Sequence, residues 1–143
     1  YELAFSIKND LKRKSEEENV AIHIHGIHTK IRGVTQILYE MFFNICENAI
    51  KYNKEHGWVK VLLDADHQFF TVEVSDSGIG IPEQDYEHIY ERFYRVDKGR
   101  SRKLGGTGLG LAIVKNAVLF HKGEILAKNQ INGGLEFLFT LKK

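Results

Sequence analysis

Residues 34–54 repeat on a helical period twice over. Met41, Ile45, Ala49 and Tyr52 recur at steps of four and three. Such steps return to one face of a helix at ~100° per residue, so these side chains should meet a core. Asn44, Asn48 and Lys51 take the same steps on a neighbouring stripe. Asparagine is a mediocre helix former, roughly half a kcal/mol worse than alanine. Two carboxamides and an ammonium lined up beside a buried face are either an amide-rich solvated surface or part of a site.

Around that helix the period alternates. Residues 2–18 read as one helix, amphipathic at first through Leu3, Ala4, Ile7 and Leu11, then charged. VAIHIHG, residues 20–26, reads as a half-buried strand with His23 and His25 outward, and a shorter strand is expected near Lys30 to Arg32. Residues 58–66 and 69–76 read as a hairpin. Pro82 starts a short helix through about Arg92, and residues 95–107 are basic, glycine-containing and without period, a mobile loop. Residues 109–121 are helical, and GEILAKNQ and LEFLFTLK are two closing strands. This order predicts one mixed sheet with helices on one face.

Composition excludes more than it assigns. With 143 residues the chain fits one domain with a real core. A net charge of +1 gives no bulk electrostatic case for nucleic acid or a membrane surface. Cys46 is the single cysteine, so no disulfide forms within the chain and a thiolate metal site is not expected. No apolar run approaches the ~18 residues that span a bilayer, and no signal peptide is expected at the start of the chain. Tyr1 is not a start residue, so the chain is expected to be excised from something longer.

Two glycine clusters give the amide stripe a context. DSGIGIP, 76–82, follows a strand, and GGTGLGL, 105–111, precedes a helix. Backbone amides at a helix N-terminus carry free N–H groups and the positive end of the dipole, so the second cluster is a plausible phosphate cradle, or simply tight turns before a helix. It is not a P-loop, for no Gly-Lys-Ser/Thr follows, and not a dinucleotide fingerprint, for the basic run KGRSRK precedes it. Asp76 ends an apolar strand. A carboxylate there can accept from an exocyclic amine such as the N6 group of adenine, or can cap a D-S-G turn. A carboxamide oxygen suits Mg²⁺, which shares itself with waters and phosphates. On that reading Asn48 is a metal ligand with Asn44 beside it, and Lys51 neutralises phosphate.

These stretches, in this order, resemble the catalytic ATP-binding domain of bacterial sensor histidine kinases, within the wider ATPase family shared with gyrase, heat-shock chaperone and mismatch-repair proteins. NICENAIKYN is similar to its asparagine box, DSGIGIP to the first glycine box, ERFYRVD (91–97) to the phenylalanine box and GGTGLGLAIVK to the second glycine box. The resemblance covers about residues 33–141. It implies a two-layer α/β sandwich with a mixed, mostly antiparallel sheet, and ATP between the long helix and a flexible lid. It implies Asn48 on Mg²⁺, Asn44 supporting the metal–phosphate network, and Lys51 and Arg95 on phosphate. Asn44, Lys51 and Arg95 would be the catalytic set. Tyr52 and Ile81 would line the nucleotide pocket, Asp76 would accept from adenine, and Gly78 and Gly80 would shape the pocket. Gly106, Gly108 and Gly110 would form the phosphate-side turn, with Thr107, Leu109 and Leu111 between them.

Departures are small. Gly134-Leu135 stands where the family has Gly-Thr, so no nucleotide contact is assigned there, and Asn53 replaces a Thr or Ser. Hydrolysing relatives place a glutamate four residues before the metal asparagine; here that position is Asn44, which cannot act as a general base. Glu47 points about 100° away from Asn48 and reads as a helix-surface charge. Water attack should therefore be slow and the γ-phosphate kept for another nucleophile, which the resemblance implies is a histidine.

None of His23, His25, His28, His56, His67, His88 or His121 stands in the family's acceptor context. HIHGIH invites a metal reading, but no acid or cysteine completes a ligand set. The implied partners are the histidine-acceptor dimerisation domain of the same protein and a response regulator. The parent would be homodimeric and membrane-anchored with this domain in the cytoplasm, and the isolated domain monomeric. Competing readings are a hydrolase that uses ATP for clamping, a nucleotide-sensing module and a serine-directed kinase. Lys98, Arg100, Arg102 and Lys103 either close over polyphosphate or form a solvated loop.

Overall fold

The computed structural model describes residues 1–96 and 107–143. The chain runs through helices α1 (Glu2–Asp10) and α2 (Lys12–Glu17), strand β1 (Ala21–Gly26), helix α3 (Thr35–Lys51) and the hairpin β2 (Trp58–Ala65) and β3 (Phe69–Asp76). Two 3-10 turns follow, Glu83–Asp85 and His88–Tyr90, and then α4 (Gly110–Phe120), β4 (Ile125–Asn129) and β5 (Leu135–Lys142). Among the described residues five strands form one sheet in the order β1-β2-β3-β5-β4. Only β1 and β2 pair in parallel; the other neighbours are antiparallel. The parallel pair follows from connectivity, because a whole helix, α3, separates β1 from β2. The expected two-layer α/β sandwich is the architecture observed.

Alternation along the strands builds the core. Val61, Val74 and Phe137 stand in one row across the sheet, and Leu63, Val72 and Phe139 in the next. All six are buried. The residues between them, such as Lys60, Leu62 and Glu73, are only half-buried, so one face is covered and the other wet. Onto the covered face α3 packs Leu38, Met41, Ile45 and Ala49, and α4 packs Val114 and Val118. Met41 and Ile45 are completely buried. Cys46 lies in this layer, where burial pushes its thiol up to about 12, so it packs as an apolar residue.

Three local expectations need correction. The first helix is two, because the chain bends at Leu11 (φ −92°, ψ 2°), whose side chain is anchored in the core. No strand forms near Lys30 to Arg32. Strand β1 has β2 as its neighbour, and residues 27–34 serve as the crossing to α3, with Ile31 against the core. The segment after Pro82 is two 3-10 turns rather than a helix. Side chains pin it instead: Tyr94 donates to the buried Asp85 carboxylate, and Asn129 N–H donates to Tyr86 Oη. The loop expected over residues 95–107 lies mostly in 97–106, outside the described residues.

Helix α3 also stops earlier than the periodicity suggested, at Lys51. Asn53 explains the ending. Its Nδ2 donates to Ala49 O at 3.0 Å and Trp58 O at 2.9 Å, and its Oδ1 accepts from Lys54 N–H and Ser77 Oγ. One side chain thus caps a helix carbonyl and fastens the helix end to the start of β2.

Candidate functional site

A cleft of about 190 Å³ opens where the C-terminal half of α3, the end of β3, the 3-10 segment and the start of α4 meet. The amide stripe faces it: Asn44, Asn48, Lys51 and Tyr52 all line its wall. Asp76, Gly80 and Ile81 line it from the β3 end. Arg95, Thr107, Gly108, Gly110 and Leu111 line it from the other side. Two expected residues stand behind the wall. Gly78 donates its N–H to Asp76 Oδ1 at 2.8 Å, and Leu109 caps α4 while its N–H reaches Thr107 Oγ1. Gly106 lies outside the described residues, as do Lys98, Arg100, Arg102 and Lys103.

At the β3 end the chain builds a directed acceptor. Asp76 is buried, and Oδ1 takes hydrogen bonds from Gly78 N–H and from Leu135 N–H at 3.2 Å. Among the described residues no hydrogen bond reaches Oδ2. Gln130 Nε2 holds the Asp76 carbonyl at 2.6 Å, so main chain and side chain are both fixed. Burial raises the carboxyl pKa to about 6, against the two amides, which lower it.

The sign for stability follows. The folded pKa lies above the unfolded one, so Asp76 stabilises the fold when protonated, below about pH 4. That contribution fades as pH rises through about 6. Asp76→Asn keeps an oxygen for both amides and loses the titration. Between pH 4 and 7 the wild type should lose ~2–3 kcal/mol relative to the variant in urea unfolding. Parallel curves would show that the group does not titrate there.

At the α3 end the chemistry is cationic and amide-rich. Asn44 Nδ2 donates to Glu40 O at 2.7 Å, which leaves Oδ1 to the cleft. A Cβ on Gly110 would stand 3.0 Å from that oxygen, so glycine is what lets the first turn of α4 approach it. Gly108 has φ +73°, and a Cβ there would meet Phe93 Cα at 2.8 Å. The glycine box therefore packs directly on the phenylalanine-box backbone, where Phe93 N–H donates to Gly108 O. Burial lowers the Lys51 pKa; Glu47 pulls it back up, while Lys14 and Arg95 lower it further. Neutral amide oxygens, a lysine and open backbone at a helix start form a donor set that fits Mg²⁺ shared with phosphates.

Several wall residues were not anticipated. Ile79, Ile89, Tyr94 and Val96 add apolar surface. Tyr94 and Val96 belong to ERFYRVD, where an alternating aromatic and β-branched residue was an available signal. Leu135 lines the cleft although no contact was assigned there, and Phe137 lies beside it. Glu47 also lines the cleft and pairs with Lys14 at 3.1 Å, so it is not the outward surface charge that helical angle suggested. A long side chain at the rim reaches around the helix, which an angle at Cα does not capture. The histidines of HIHGIH do not converge as a set of three: His23 and His25 stack with ring centroids 6.4 Å apart, and His28 lies elsewhere. His23 and His25 are exposed on β1, and His28 stacks on Tyr1 at 3.8 Å. Among the described residues no group of three His, Cys, Asp or Glu is placed to hold a metal. No helix among them is long and apolar enough to cross a membrane.

Known proteins resemble this chain in sequence and in fold. The family described as "Histidine kinase-, DNA gyrase B-, and HSP90-like ATPase" matches residues 33–143. Sensor histidine kinase WalK of Bacillus subtilis is 47% identical over 110 residues, which cover 76% of this chain and 17% of WalK. Sensor histidine kinase RppB of Synechocystis is 43% identical over 105 residues, 73% of this chain and 23% of RppB. The chain thus spans about a fifth of the length of these relatives. Among solved structures, the catalytic domain of histidine kinase ThkA superposes with a TM-score of 0.85 at 26% identity, covering 99% of this chain and 91% of that one. The mycobacterial sensor histidine kinase MprB superposes with a TM-score of 0.83 at 28% identity, covering 95% and 92%.

Proposed function

Because this chain belongs to the histidine kinase-, DNA gyrase B- and HSP90-like ATPase family, we propose that it binds Mg–ATP in the α3–α4 cleft and passes the γ-phosphate to a histidine. The acceptor would stand on the dimerisation domain of the parent protein, with relay to a response-regulator aspartate. The parent would be a homodimeric, membrane-anchored sensor kinase and this domain its cytoplasmic, monomeric catalytic part. The similarity to proteins named sensor histidine kinases supports that reading.

One observation carries it. Asp76, whose Oδ2 takes no hydrogen bond among the described residues, lines one cleft together with Asn44, Asn48 and Lys51, and Gly108 and Gly110 line it too. On this reading adenine donates its amine to Asp76 Oδ2. Tyr52, Ile81, Ile89 and Leu135 pack its faces and edges. Lys51, Arg95 and the amides of residues 107–111 meet phosphate, and Asn48 with Asn44 hold Mg²⁺. When bound, Mg²⁺ would neutralise charge on the transferring group.

The carboxylates in the wall argue for transfer over hydrolysis. Activating water needs a base near the terminal phosphate. Position 44 is an amide. Glu47 is turned to Lys14, whose Nζ stands 3.1 Å from its Oε2, so that oxygen is held toward α2. Asp76 is bonded to backbone amides at the β3 end.

Calorimetry with ATP, ADP and GTP, with and without magnesium, tests the assignment. Adenine nucleotides should bind and GTP should bind far more weakly. Asp76→Asn should reduce the adenine preference about tenfold or more, because a hydrogen-bonding site discriminates by what it leaves unpaired. Affinity should also rise from pH 5 to pH 7 as Asp76 ionises and Oδ2 becomes a full acceptor. Incubated alone with ATP, the chain should form no stable histidine phosphate; the dimerisation domain added in trans should become labelled. No adenine nucleotide uptake, or a steady ATPase rate without acceptor, would overturn the proposal.

A further inference from the structure

We infer that Lys14, on α2, is a positioning residue for the triphosphate: it neutralises Glu47 in the cleft wall and so keeps that carboxylate from repelling the terminal phosphate. The inference rests on the nucleotide reading above and deepens it. Lys14 lies outside residues 33–143, which the family match covers, and outside all four motifs.

Geometry places the pair at the phosphate end. Glu47 is the residue before Asn48 and lines the same wall as Asn44, Asn48 and Lys51. Lys14 Nζ stands 3.1 Å from Glu47 Oε2, and the Glu47 side chain is only 27% exposed against 55% for Lys14. The carboxylate is thus the more shielded partner, and its field acts on the cleft. Lys51 feels Glu47 and Lys14 with opposite signs, which places both close to the ammonium on the amide stripe.

The scaffold beneath Lys14 is fixed. Leu11 is in the core, Ser15 O accepts Val20 N–H at 2.8 Å, and Tyr39 Oη donates to Asp10 Oδ2 at 2.7 Å, joining α1 to α3. The lysine is therefore held over Glu47 by packed helices, not by a loose tail.

A carboxylate left uncompensated there opposes a ligand in proportion to the charge nearest to it. ATP carries one more phosphate than ADP at that end, so removing Lys14 must penalise ATP more than ADP. In calorimetry Lys14→Ala should weaken ATP roughly fivefold relative to ADP, a size set by a partly screened pair. Lys14→Arg should restore the wild-type ratio. In a Glu47→Gln background, where nothing needs neutralising, Lys14→Ala should change the ratio less than about twofold. A merely structural tie would lower Tm and weaken both nucleotides alike. Equal effects on ATP and ADP, no effect, or a loss that persists undiminished with Glu47→Gln would overturn the assignment of Lys14. Failure of the wild type to take up ATP would instead overturn the nucleotide reading and this inference with it.

Discussion

Asn48→Ala should reduce magnesium-dependent ATP binding and phosphoryl transfer by about 100-fold or more while leaving the fold intact. Asn48 is half-buried in the cleft wall of α3, and among the described residues its carboxamide makes no hydrogen bond. Among the described residues no side-chain hydrogen bond is lost with it. Alanine is the better helix former by roughly 0.5 kcal/mol, so Tm should hold or rise slightly. The comparison with Asn53, five residues on, sharpens the point. Asn53 caps the end of α3 and ties it to β2 and Ser77. Its truncation should act through stability. The measurement is ATP affinity with and without magnesium for wild type and Asn48→Ala, then transfer to an added dimerisation domain. Without magnesium the two proteins should bind ATP alike, within about threefold. A variant that keeps the full magnesium dependence would remove Asn48 as the ligand.

That contrast also shows what could be read along the chain and what could not. The stripe of Asn44, Asn48 and Lys51 is local geometry: a helix repeats every 3.6 residues whatever surrounds it. The strands were equally legible, since Val61, Leu63, Val72 and Val74 alternate as a half-covered sheet requires. The glycine boxes announced tight backbone. What stayed hidden depends on residues distant in sequence. Leu135 N–H completes the support of Asp76 from 59 residues away, and Gln130 holds the Asp76 carbonyl from 54 away. No period reports such a contact. The false strand near residue 31 failed for the same reason, because a strand needs a neighbour to pair with, and residues 28–34 pair with none of the described strands. Glu47 was misdirected because its partner Lys14, on α2, is invisible from α3 alone.

Phe139→Ala should be the most damaging single truncation of the core, lowering stability by about 3–5 kcal/mol. Phe139 is completely buried near the middle of β5, opposite Val72 on β3 and Ile125 on β4. Its ring meets Phe42 of α3 edge-on, with centroids 6.0 Å apart. Sheet and helix layer are therefore joined through it, and strands on both sides prevent collapse into the space left behind. For a domain of this size the loss is a large share of a total near 5–15 kcal/mol, and a Tm decrease on the order of 10 °C or more is expected. Phe120 provides the control: it is 61% exposed at the end of α4, and its truncation should change stability by less than ~0.5 kcal/mol. Far-UV circular dichroism during urea unfolding measures both. The site should feel the loss as well, because β5 begins at Leu135, whose N–H supports Asp76. Saturating Mg–ATP should then restore part of the lost Tm, since a ligand that binds only the folded form stabilises it by mass action. A loss below about 1 kcal/mol for Phe139→Ala would mean that the layers are held together elsewhere than at this ring.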